Sequence, residues 1–122
     1  MVRKYAVIDL ETTGPKYESG DRIFQFGCTL INGDEVIEHV SLNINPEKSI
    51  PFEIQLLTGV TNADVATAPY FDEVAMTIFN LLEDRTLVAH NVGFDGPFIM
   101  SALTDALGLE LEVPLIDTVQ LA

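Results

Sequence analysis

The chain has 122 residues, 48% of them hydrophobic, with 19 acidic and only 6 basic residues and a net charge of -13. That length fits one domain, residues 1–122, able to bury a core and small for an α/β fold; without a long charged or low-complexity tract it is globular rather than disordered. The charge argues against strong autonomous binding to nucleic acid, where affinity rests on Lys and Arg against phosphates, and the cations Arg3, Lys4, Lys16, Arg22, Lys48 and Arg85 form no run.

No apolar stretch approaches the roughly 20 residues of a membrane span and no basic-then-apolar leader precedes the first apolar run, so a soluble cytoplasmic protein without membrane attachment is expected. The single cysteine, Cys28, excludes an intrachain disulfide and reads as a small buried apolar side chain.

Residues 4–10 read as a buried strand that runs into Glu11-Thr12-Thr13-Gly14. Alternate side chains of a strand share a face, so Asp9 and Glu11 project the same way. Two anions this close repel unless protons or cations neutralise them, which makes a divalent metal the leading explanation. On these residues alone, a strand that merely ends in acidic turn residues is an equal reading. Thr12-Thr13-Gly14 ends the strand and turns the backbone close to whatever a metal would hold.

Residues 22–32 and 35–43 read as two further strands joined at Asn32-Gly33-Asp34, a composition suited to a tight hairpin, so the first three strands should form a meander. Pro46 and Pro51 confine residues 44–52 to loop, after which Glu53 to Leu57 can make a short helix. Phe71, Val74, Ala75, Ile78, Leu81 and Leu82 recur at helical spacing, and that helix leads into a strand at 86–89. A helix from Phe94 to Leu107, closed by Gly108, and a short strand from Pro114 to Asp117 complete the order. Pro97 is acceptable in a first helical turn, whereas Gly96 loosens the turn that carries Asp95. Phe98, Ile99, Ala102, Leu103 and Leu107 give this helix its core face.

A second strand exit, Leu87-Val88-Ala89-His90-Asn91-Val92-Gly93-Phe94-Asp95, answers the first. Asp-x-Glu-Thr-Thr-Gly followed by His-Asn-x-x-Phe-Asp resembles the first two motifs of the DEDD (DnaQ-like) exonucleases, the family of the proofreading subunit of bacterial DNA polymerase III. Arg22-Ile23-Phe24-Gln25-Phe26-Gly27 is similar to the family's second strand, and Leu57-Thr58-Gly59-Val60-Thr61 to its connecting loop; Ala68-Pro69 also matches. The resemblance spans nearly the whole chain.

It implies a ribonuclease H-like α/β fold: a mixed sheet, with a three-strand antiparallel meander plus parallel strands, flanked by helices and incomplete at the C-terminus. It implies hydrolysis of phosphodiester bonds from a nucleic acid 3′ end by two Mg²⁺ or Mn²⁺ ions. Asp9 would bridge both ions, Glu11 would complete the ion that activates water, and Asp95 would serve the other. Thr12, Thr13 and Gly14 would place the terminal nucleotide, and Phe94 and Leu57 would pack against sugar or base; for these last two, plain core packing is at least as good a reading. His90 is expected to fix the strand-to-helix turn through hydrogen bonds, Asn91 to cap the helix, and His39 to face solvent in mid-strand.

The family closes its site with a third motif, a His and an Asp a few residues apart on a late helix. Ile116-Asp117-Thr118-Val119-Gln120-Leu121-Ala122 is similar to the element before that helix, so the fourth carboxylate and general base are expected outside these residues, leaving this chain weakly active or inactive. Without that helix, several hundred Å² of apolar sheet surface, worth on the order of 10 kcal/mol, would be bared, so self-association is expected.

Gly14-Pro15-Lys16, Gly20-Asp21-Arg22 and Pro69-Tyr70-Phe71 most resemble exonuclease domains fused to bacterial DinG-like helicases, with polymerase III epsilon-like and PolC-like proofreading domains close behind. A fused or associated helicase or polymerase would account for the scarce cations, and single-stranded DNA is the expected substrate. Two other readings stand beside this one: a pseudo-nuclease that binds protein or nucleotide without catalysis, and a metal-binding regulatory domain, against which the motif pair weighs.

Overall fold

In the computed structural model, which describes residues 2–90 and 92–117 with positions 92 and 93 through their backbone only, β1 (Lys4–Thr12) is the central strand. It runs antiparallel to β2 (Ile23–Asn32), and β2 runs antiparallel to β3 (Glu35–Asn43), which is the expected meander. On its other side β1 pairs in parallel with β4 (Thr86–Ala89), itself parallel to β5 (Leu115–Asp117). The order β3-β2-β1-β4-β5 makes the mixed sheet of a ribonuclease H-like α/β fold.

Alternation decides what each strand presents. Ala6, Ile8 and Leu10 of β1 are buried, so Asp9 and Glu11 stand on the opposite, less covered face. Helices α3 (Phe71–Leu82) and α4 (Val92–Leu107) seal the buried face with Ala75, Ile78 and Leu82 from one and Phe98, Ile99, Ala102 and Leu103 from the other. Each large side chain so buried contributes about 1.5 to 3 kcal/mol, which makes these helices the main support of β1 and β4. Cys28 lies in the same core, where burial pushes its thiol up to about 11, so it remains a protonated apolar filler. Across the sheet's lower end, the Arg85 guanidinium donates to the Tyr5 carbonyl at 3.1 Å and to Asn32 Oδ1 at 3.0 Å, tying the entry of β4 to β1 and β2.

Two short helices, α1 (Phe52–Thr58) and α2 (Asn62–Ala66), cover a smaller cluster of Phe24, Ile50, Val60 and Val65. Helix α2 and a 3-10 turn at Tyr17–Ser19 are additions to the expected elements. A capping box starts α2: Asp64 N donates to Thr61 Oγ1 at 3.2 Å, and Thr61 N donates to the Asp64 carboxylate at 2.9 Å. Thr61-Asn62-Ala63-Asp64 carries that signal in the sequence.

Helix α4 begins at Val92 rather than Phe94, which moves Pro97 out of the first turn. Proline there has no N–H to offer the carbonyl of Gly93 four residues earlier, so the helix forgoes one hydrogen bond just behind Asp95. Among the described residues no helix is long and apolar enough to cross a membrane.

Candidate active site

Pairing of Asp9 with Gly27 and of Glu11 with Gln25 fixes both carboxylates on one face at the exit of β1. The parallel pairing of Val7 with Val88 aligns β4 beside β1 so that both strands leave the sheet at the same end. Helix α4 starts there and carries Asp95 in its first turn. Ligand sites of α/β sheets form at such carboxyl ends.

Asp95 is 8% exposed and is one of three buried polar side chains among the described residues. Burial, then the charges of Asp9 and Glu11, push its carboxyl up to about 6. Burial and the charge of Asp9 likewise raise Glu11. Residues 84 or more positions apart in the chain therefore share one electrostatic environment, and it is a repulsive one.

The sign of its effect on stability follows. An unfolded aspartate titrates near 3.8, so the folded state favours the protonated acid, and stability present below pH 4 is lost as pH rises through about 6. Allowing for solvent screening at the open side of the site, the loss is about 1 to 2 kcal/mol at neutral pH. Thermal melts should show Asp95→Asn more stable than the parent at pH 7, with the advantage shrinking toward pH 4. A constant difference across that interval would contradict the repulsion.

The loop after β1 is held rigidly. Thr12 Oγ1 donates to the Gly14 carbonyl at 2.8 Å, Thr13 N to the Arg22 carbonyl at 2.9 Å, and Arg22 N to Thr13 Oγ1 at 3.0 Å. Asp21 accepts from Lys16 N at 2.9 Å. Its carboxylate passes so close to Gly14 that a Cβ there would lie 2.6 Å from Asp21 Cγ, a distance only glycine avoids. The Arg22 guanidinium lies 4.2 Å over the Tyr17 ring, and Tyr17 reaches α4 twice, edge-on to Phe98 at 5.5 Å and through its hydroxyl to Asp105 at 2.7 Å. The turn that follows the first two carboxylates is thereby tied to the helix that bears the third.

The scaffold residues Tyr17 and Asp105 did not stand out in the sequence, because they act through each other 88 positions apart, and Asp21 stood there only as part of Gly20-Asp21-Arg22.

The remaining expected site residues divide. Thr12 and Thr13 are buried and their hydroxyls are engaged within the loop. Phe94 is half-buried against Phe98, with ring centroids 5.5 Å apart, as core packing requires. Leu57 is 85% exposed, which removes the core-packing reading for it. His90 lies exposed just after β4. His39 faces solvent, as expected, with Nδ1 2.8 Å from Thr29 Oγ1. Asn91, expected as a cap, and Thr118 to Ala122 lie outside the described residues.

Among the described residues no three His, Cys, Asp or Glu side chains form a group able to hold an ion. The three carboxylates nevertheless fit Mg²⁺ or Mn²⁺ in kind, since hard oxygen donors suit both metals. The raised proton affinities of Glu11 and Asp95 mark anions gathered without countercharge. The donors are brought to one sheet end without closing into a cage.

Acidic side chains from the end of β1 and the first turn of α4 thus share one end of a mixed sheet. Residues 6–122 match the exonuclease family RNase_T, and the chain belongs to that family. Its relatives include the 3′-5′ exonuclease DinG of Bacillus subtilis, 40% identical over 121 residues, and that of Staphylococcus epidermidis, 41% identical over 101 residues. These matches take in 98% and 83% of this chain but 13% and 11% of the two relatives, so the chain spans about an eighth of their length. In fold it is similar to product-bound exonuclease I, with a TM-score of 0.82 at 18% identity over 99% of this chain and 31% of the other. Exonuclease X in complex with 5′ overhanging duplex DNA gives 0.75 at 22% identity over 97% and 61%.

Proposed function

We propose that this domain hydrolyses phosphodiester bonds at the 3′ ends of nucleic acid, single-stranded DNA above all, with Asp9, Glu11 and Asp95 as the carboxylates that hold two divalent ions. The observation that carries the reading is the meeting of these three anions in a family of exonucleases, at an electrostatic cost that bound cations would remove. Mg²⁺ or Mn²⁺ bound there would supply an activated water and countercharge for the leaving oxygen. Asp9, Glu11 and Asp95 would hold the ions, whose positive charge would relieve the repulsion that raises Glu11 and Asp95.

The chain's other residues position the substrate. The Thr12-Thr13-Gly14 turn, braced by Asp21 and Arg22, offers backbone groups to the terminal nucleotide. Leu57, and the edge of Phe94, offer apolar surface to base or sugar, while His90 holds the turn before α4.

We read the 122-residue chain as feebly active by itself, since no His-and-Asp pair of the kind that closes the family's site stands among its last residues. A fused or associated helicase or polymerase, a cytoplasmic setting, and self-association of the isolated domain through its less covered sheet face or an exchanged element complete the reading. A second reading, a pseudo-nuclease that binds without hydrolysis, is favoured by the unclosed ligand set.

The test is a 5′-labelled single-stranded DNA oligonucleotide incubated with the domain and Mn²⁺. The expected result is a ladder that shortens from the 3′ end, with mononucleotides released. Internal cuts, or shortening from the 5′ end, would overturn the proposal.

A further inference from the structure

Between the Tyr17–Ser19 turn, the outer side of α4 and the loop before β5 runs a groove of about 580 Å³. Its floor is apolar, built from Met100, the buried Leu111 and the Tyr17 ring. Its rim bears Glu18, Asp105, Glu110 and Glu112, with no Lys or Arg in the lining. Asp105 accepts the Tyr17 hydroxyl at 2.7 Å. The other three rim carboxylates, Glu18, Glu110 and Glu112, have no hydrogen-bond or ion-pair partner among the described residues, and the ion pair of Lys48 with Asp21 at 3.8 Å lies elsewhere. A second recess of about 210 Å³ shares Tyr17, Glu18 and Ser101 with the groove and extends it to Phe94, the neighbour of Asp95.

We propose that this groove docks a basic segment of a partner protein, in which two or more Lys or Arg flank a bulky apolar side chain, and so seats the partner beside the active-site carboxylates. An apolar anchor on Met100 and Leu111 would supply the buried centre of the contact. Cations on the rim would supply charge complementarity, which sets register and speeds encounter.

The same chemistry excludes the other occupants. A nucleic acid strand would bring phosphates against four carboxylates with no cation between them. A second copy of this chain offers no free segment of this kind, because its only adjacent cations, Arg3 and Lys4, lead straight into β1, where Lys4 is already paired with Asn32. The inference stands independently of whether the neighbouring site hydrolyses anything.

The experiment is a titration of the ¹⁵N-labelled chain, followed by amide shifts, with the synthetic peptide Lys-Leu-Lys-Phe-Lys-Leu-Lys, its Glu-for-Lys counterpart, and a thymidine oligonucleotide. Shifts with the basic peptide are expected to concentrate on residues 17–18, 100–105 and 110–112, with none from the acidic peptide. The pair Glu110→Gln and Glu112→Gln should weaken binding about tenfold, and Met100→Ser should weaken it as well. Asp34→Asn with Glu35→Gln, which removes the same charge at the far hairpin, should leave it unchanged. Shifts scattered over the whole acidic surface, equal losses in the two double variants, or an oligonucleotide that moves the same residues as strongly would each overturn the proposal.

Discussion

Replacing Asp9 by alanine is expected to abolish manganese uptake by the domain and to reduce any hydrolysis it supports to background. Asp9 is the exposed member of the cluster and the one whose charge raises both Glu11 and Asp95, so it is the group that faces both of the others. If it bridges two ions, its loss removes a ligand from each at once. Metal charge stabilisation of several kcal/mol would be forfeited, on the order of 10³-fold or more in rate. Calorimetric titration with manganese chloride measures the first effect, and single-turnover assays the second.

The fold itself should not suffer. Asp9 contributes nothing to the core, and taking one anion away from two others removes repulsion, so thermal melts of the alanine variant should match or exceed the parent. Uptake of manganese equal to the parent's would show that the carboxylates are not a metal site, and the proposed function would fall with them.

The second large effect concerns supplying a general base and a fourth carboxylate. A polypeptide extended to include a helix with a His and an Asp a few residues apart is expected to degrade single-stranded DNA about 10²- to 10⁴-fold faster than the 122-residue chain, the usual contribution of a general base. Alanine at that histidine should return the rate to the level of the shorter chain while leaving manganese binding in place. The extended chain should also melt at a higher temperature, because a helix laid over the less covered face of β1 would bury the half-exposed Tyr5 and Val7. An extended chain that binds manganese and still fails to cut would establish the pseudo-nuclease reading instead.

Asp95→Asn separates the two roles of the cluster from the opposite direction, since it should gain stability while losing whatever the ions do. A carboxylate held with its proton affinity raised is unfavourable for folding at neutral pH and persists where a ligand can compensate.

Much of this is legible in the sequence alone. The meander, the strand at residues 86–89 and the helix over Phe71–Leu82 lie where periodicity placed them, because strand and helix faces are set by local side-chain direction. The short α2 escaped, although its capping box is local too; five residues carry too little apolar periodicity to register as a helix. The start of α4 shifted by two residues, so Pro97 sits where the sequence did not expect one, and packing of Phe98, Ile99 and Leu103 against the sheet tolerates the lost hydrogen bond. Leu57 could be assigned to either core or surface by composition alone, and its exposure was decided by how α1 lies on Phe24 and Ile50.

The sequence by itself determined that Asp9 and Glu11 share a face, since alternation along a strand needs only neighbouring residues, and the two spaced motifs were enough to point to the family. Only the tertiary structure decided that Asp95 joins them, that its proton is held until about pH 6, that Tyr17 and Asp21 clamp the turn between them, and that unpaired carboxylates rim a groove beside it. Those properties depend on burial and on charges brought together from distant parts of the chain, which no local pattern of residues encodes.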